Sequence, residues 1–171
     1  DDGSWFNSPE GIDFLGTAEQ LGLIASISMA PHHQNELRKA IERHPNLNFL
    51  FHHMSGLKAH GDDARANVDN VIETSKLPNA FLKLSGFHYL TGTPWNFPYK
   101  DTLWVYEECY EAFGTNMVWG SDFPVVKKSM THLQALEALR THCDFVNEPD
   151  KRAILGGTLE RLLSEARSVT K

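Results

Sequence analysis

Two short apolar segments in this sequence end on residues that can do chemistry. Met117-Val118-Trp119 runs into Gly120-Ser121-Asp122 and then Phe123-Pro124. An apolar run that stops on glycine, an acid and proline reads as a buried strand with a carboxylate at its C-terminal tip. Earlier in the chain, Phe49-Leu50-Phe51 runs into His52-His53. In α/β proteins, ligands and reacting groups collect at such tips. An imidazole and a carboxylate from two neighbouring tips can share a metal ion or pass a proton. Asp122 and His53 are therefore the first candidates, as catalytic groups or as metal ligands.

Each candidate also has a plainer use. Asp122 could cap free backbone donors in the turn beside Pro124. On a strand, His52 and His53 would point to opposite faces, so only one could reach a site. Lys83, in Ala80-Phe81-Leu82-Lys83-Leu84-Ser85, is unusual inside a parallel strand, where both faces are buried. It could meet a substrate anion, sit in a buried ion pair, or snorkel from an edge. Ser85 and His88 follow it closely and count as substrate-binding candidates. His60 also lies in a loop after a strand. His32 and His33 read as an exposed first helical turn, and His44, His132 and His142 fall on helices away from strand ends. Trp95, Phe97 and Tyr99 could form an aromatic lid or pack on the surface. Gly156-Gly157-Thr158 follows a helical pattern, and neither GxGxxG nor GxxxxGK[ST] occurs, so nucleotide binding has little support.

The elements that must position these groups alternate regularly. Ser8-Pro9 opens a helix closed by Gly22, and residues 23–29 form a strand ended by Pro31. A helix around Leu37, Ala40 and Ile41 precedes a strand at 47–53. Another, around Val68, Val71 and Ile72, precedes a strand at 80–85. Residues 87–99 read as a long loop. A helix closed by Gly114 leads to the fourth strand at 116–120, and two helices complete the chain. Strand and helix alternating in this way give βα units and a parallel sheet in a single α/β domain over residues 1–171. Four units are half of a (β/α)8 barrel of the TIM type, or a small open sheet.

The chain has 171 residues and a net charge of −6, which argues against a nucleic-acid-binding basic face. No apolar run is long enough to span a membrane. Cys109 and Cys143 lack CxxC spacing and read as reduced, buried thiols of a cytoplasmic protein.

Four pieces taken in order resemble the amidohydrolase-2 branch of the amidohydrolase superfamily. They are Pro45-Asn46-Leu47-Asn48-Phe49-Leu50-Phe51-His52-His53, Phe81-Leu82-Lys83-Leu84-Ser85-Gly86, Trp119-Gly120-Ser121-Asp122-Phe123-Pro124, and Ile154-Leu155-Gly156-Gly157-Thr158-Leu159-Glu160-Arg161-Leu162-Leu163. The resemblance is nearest to lactonases and hydrolases of dicarboxylic lactones, and it covers almost the whole chain. It implies the C-terminal half of a (β/α)8 barrel, with these strands as the fifth to the eighth. It further implies that His53 is a metal ligand or carbonyl-polarising group, and that Asp122 takes a proton from the attacking water. A divalent metal, zinc first, is implied, with a small carboxylate or lactone as substrate. The expected reaction is opening of a lactone or similar cyclic ester. Alternatives are metal-dependent decarboxylation of an unsaturated or aromatic acid, and a non-catalytic half barrel. The family's first-strand His-X-His has no counterpart, and Ser28-Met29-Ala30 stands where many members place a histidine. Half a barrel should leave two strand edges and one sheet face uncovered. The expectation is therefore a missing N-terminal half or a homo-oligomer.

Overall fold

Helix α1 (Pro9–Gln20) begins as its sequence demands. The Ser8 side chain accepts from the Gly11 N–H at 3.1 Å, and Pro9 holds the first position, where no donor is needed. The computed structural model describes residues 2–169. Its strands are β1 (Ile24–Ile27), β2 (Asn48–Phe51), β3 (Ala80–Leu84) and β4 (Met117–Trp119). They form one sheet in sequence order, and every pairing is parallel. Helices α2 (Gln34–Arg43), α3 (Ala64–Ile72), α4 (Phe87–Leu90), α5 (Leu103–Phe113), α6 (His132–His142), α7 (Glu148–Arg152) and α8 (Thr158–Val169) complete the chain. This is a partial TIM-type barrel.

Strand parity sorts the two faces. Ala25, Ile27, Phe49, Phe51, Leu82, Leu84, Met117 and Trp119 face the helices and join the main core. Ile24, Leu50, Phe81 and Val118, one from each strand, gather on the opposite face under Leu159 and Leu162 of α8. The lower inner face is therefore covered, where an open half barrel would leave it bare. A π-helical turn at Ala153–Gly157 joins α7 to α8. Thr158 fixes the start of α8 by donating to the Thr115 carbonyl at 2.7 Å. The glycine pair thus turns a helix and does not form a phosphate loop.

Both sheet edges stay open. Phe14 is 62% exposed beside β1, and Phe123 is 64% exposed just past β4. All four strands stop earlier than their apolar patterns suggest. Residues 87–99 contain the single turn α4, and the segment does not act as one unit: Tyr99 is fully buried while Trp95 is 84% exposed. Cys109 and Cys143 are free, buried thiols. No helix among the described residues is long and apolar enough to cross a membrane.

Candidate active site

Strand β2 ends at Phe51, and His52–Gly56 follows as a tight turn. His53, Met54 and Ser55 have φ of 48°, 54° and 54°, the left-handed region. Strand alternation therefore does not apply to the two histidines. Both lie past the strand, with ring centroids 5.5 Å apart. Gln34, fully buried on α2, pins the turn by donating to Ser55 Oγ at 3.1 Å and accepting from Thr74 Oγ1 at 2.7 Å. Met54 is fully buried beneath it. Asn79 steadies the entry to β2 by donating to the carbonyls of His44 at 3.0 Å and Leu47 at 2.9 Å.

The turn delivers His53 towards the fourth strand. His53 Nε2 stands 3.7 Å from Asp122 Oδ1. Its Nδ1 lies 2.9 Å from Ser85 Oγ. Placing the ring proton on Nδ1, where Ser85 accepts it, leaves the Nε2 lone pair facing Asp122. Ser85 is buried at the end of β3 and touches the imidazole from behind.

Asp122 itself is left-handed, at φ 57°. Capping in this turn falls to its neighbour, since the Phe123 N–H donates to Ser121 Oγ at 3.2 Å. The Asp122 carboxylate is thereby released, and Oδ2 accepts from the Tyr89 hydroxyl at 2.5 Å. Sequence reasoning passed over Tyr89. Its available signal was Gly86, which has φ 72° and would place an added Cβ 2.1 Å from Tyr89 Cδ2. Only glycine lets the chain turn there with Tyr89 folded back over the strand end.

The mouth disfavours cations on its imidazoles. Burial, followed by the charges of Lys83 and His53, pulls His52 down, against the pull of Asp122. Burial lowers His53 while Asp122 opposes the shift. His88 is lowered chiefly by burial, and its Nδ1 has no hydrogen-bond partner among the described residues. Burial and the bond to Asp122 push the Tyr89 phenol up to about 12. These histidines are neutral near pH 7, the form that donates a lone pair to a metal.

Nε2 and Oδ1 also fit a metal's needs in part. Adjacent corners of a tetrahedral zinc site lie about 3.4 Å apart at bond lengths of about 2.1 Å, near the observed 3.7 Å. Ser85 supplies the hydrogen bond that ligating histidines characteristically make through their other nitrogen. No group of three or more potential ligands occurs among the described residues, so His53 and Asp122 would supply at most two corners of such a site.

The remaining candidates fall elsewhere. Lys83 points to the inner face, half-buried, and His52 Nε2 contacts Ser26 Oγ at 2.5 Å. His33 Nδ1 accepts from the Ala30 N–H within its own turn. His44 pairs with Glu19 at 3.2 Å, and His142 and His132 pack against Phe97 and Trp119. His60 lies along Gly92.

A family model described as amidohydrolase matches residues 2–164. No curated protein matches the chain. Among solved structures, an amidohydrolase from Burkholderia multivorans with bound zinc superposes at TM-score 0.83 and 16% identity, over 95% of this chain and 60% of that one. A probable 2-pyrone-4,6-dicarboxylic acid hydrolase from Acinetobacter baumannii with citric acid bound gives 0.74 and 18%, over 93% and 59%. Amidohydrolase 2 from Bifidobacterium longum subsp. infantis gives 0.69 and 16%, over 92% and 56%. The chain thus spans under two thirds of the length of these structures.

Proposed function

The chain belongs to the amidohydrolase family, and we propose that it supplies the acid–base half of a hydrolase opening a lactone or similar cyclic ester. The observation that carries this reading is the approach of His53 Nε2 and Asp122 Oδ1 to 3.7 Å from the ends of β2 and β4, across the end of β3. Asp122 accepts a proton from water as its oxygen attacks the ring carbonyl. The ring C–O bond then breaks, and Asp122 returns the proton to the departing alkoxide. Tyr89 holds Oδ2 and leaves Oδ1, on the side of His53, to accept the proton. Ser85 keeps the His53 ring aimed at the same point. Lys83, on the inner face, and His88, packed against Tyr89, would be the further substrate contacts on this reading. A divalent metal held by His53 and Asp122, with further ligands from outside this chain, would polarise the carbonyl and acidify water.

The working unit on this reading includes polypeptide seated on the β1 and β4 edges. Exposed Trp5, Phe14 and Leu23 at one edge and Phe123 and Leu133 at the other support that requirement. The test is Asp122→Asn against a panel of sugar-acid and dicarboxylic lactones, followed by proton release. Turnover should fall by roughly 10²- to 10⁴-fold with the fold intact. Undiminished turnover would end the assignment. Carbon dioxide release without ring opening would replace it with decarboxylation.

A further inference from the structure

The turn that carries His53 is held from behind by a charge that lies outside the mouth. Gln34 opens α2, and Arg38 follows one helical turn later on the same face. The half-buried Arg38 guanidinium reaches across to α3 and the turn behind it. Its Nη1 donates to the Asn70 carbonyl at 2.8 Å and to Thr74 Oγ1 at 3.0 Å. Its Nη2 donates to Asn70 Oδ1 at 2.9 Å and also to Asn35 Oδ1.

From this head a chain of hydrogen bonds runs one way. Thr74 donates to Gln34 Oε1 at 2.7 Å, and Gln34 Nε2 donates to Ser55 Oγ at 3.1 Å. A guanidinium has donors only, so Thr74 Oγ1 accepts from it and keeps its own proton to give. That proton turns the oxygen of the Gln34 amide towards Thr74 and the nitrogen towards Ser55. Thr74, Gln34 and Ser55 are all fully buried, where a charged donor strengthens each bond behind it. Ser55 closes the left-handed run that begins at His53. A second branch arrives at the same place. Asn70 Nδ2 donates to the Pro31 carbonyl at 2.8 Å. Pro31 abuts the turn, since a Cβ added at Gly56 would stand 3.8 Å from Pro31 Cδ.

We propose that Arg38 is a positioning residue for His53, acting through Thr74, Gln34 and Ser55 to set where the imidazole stands between Ser85 and Asp122. The claim concerns the place and tautomer of the ring, and it holds with or without lactone hydrolysis. Only its effect on turnover rests on the hydrolase reading above.

Imidazole nitrogen NMR spectra of the whole chain at one alkaline pH test this, with His53 assigned by its loss in His53→Gln. Wild type should show one dominant His53 tautomer, protonated at Nδ1 beside Ser85. Arg38→Met keeps the stem and removes every donor, and should lower that dominance by roughly 3- to 10-fold, the worth of one neutral hydrogen bond. Thr74→Val cuts the chain one bond further in and should reproduce the change, with the double variant no worse than either alone. Arg38→Lys keeps a donor-only cation and should restore most of the loss. Arg65→Met removes an exposed guanidinium of α3 that pairs with Glu108, and should leave His53 as it was. Thermal unfolding follows stability throughout, and Thr74→Val decides the matter if Arg38→Met does not fold. The proposal is overturned if wild type has no dominant tautomer, or if Arg38→Met or Thr74→Val loses stability while His53 keeps its wild-type signals. It is equally overturned if Arg38→Lys falls as far as Arg38→Met, or if Arg65→Met moves His53 as much. With lactone as substrate, Arg38→Met should lower kcat by the same factor and leave KM unchanged. A displaced His53 ring in a chain that turns over no lactone would sink the hydrolase reading and leave this role standing.

Discussion

Tyr89 decides what the Asp122 carboxylate can do. Its hydroxyl occupies Oδ2, so on the proposed reading the oxygen left to accept a proton is Oδ1, which faces His53. Removing that hydroxyl frees the carboxylate to rotate. Tyr89→Phe should lower turnover by about 10- to 100-fold, the range for partners that orient a reacting group. The same contact has an optical signature. The Tyr89 phenol should ionise near 12, and in Asp122→Asn its value should move towards 10 without reaching it, since burial is the larger cause. An unchanged titration in Asp122→Asn would show that the two groups do not meet. Asp122 and His53 were legible in the sequence because each closes an apolar run. Tyr89 was not, since its place depends on Gly86 turning left-handed, and one glycine in an aromatic-rich stretch does not announce its angle.

The turn after β2 is where sequence patterning misled. An apolar run through Phe51 implies that alternation continues to His53, yet the backbone enters the left-handed region there and stays through Ser55. Histidine tolerates that region better than most residues, but Met and Ser do not, and each such residue costs about 1–2 kcal/mol. Tertiary contacts offset this: Met54 is buried and Gln34 clamps Ser55. Gln34→Ala should therefore destabilise the fold by about 1–3 kcal/mol, because it strands a buried hydroxyl at Ser55. Urea unfolding measures the loss, and backbone amide shifts should move at residues 53–56 before anywhere else. A midpoint equal to wild type would mean the turn holds itself. The helices were easier to read: Ser8-Pro9 and Gly114 bound them by local chemistry, and both bounds hold.

Over the molecule as a whole, stability should depend on pH through its histidines. Burial lowers His33, His52, His53 and His88 below their ordinary 6.5. The unfolded chain then takes up protons that the folded one refuses. The contribution is complete above pH 6.5 and drains away as pH falls below it, through the depressed folded values. Urea midpoints should hold steady above that pH and decline beneath it; a flat profile on the acid side would contradict the burial. The parallel architecture was legible in the alternation of elements. The covered floor was not, because no local pattern says which sheet face a terminal helix will meet.

That floor restricts what can complete the ring. Helix α8 already fills the concave side under all four strands, with Leu159 and Leu162 against one residue from each. On the proposed reading, whatever seats on the β1 and β4 edges meets an inner face whose lower part Leu159 and Leu162 already occupy, so its own side chains would pack above that floor.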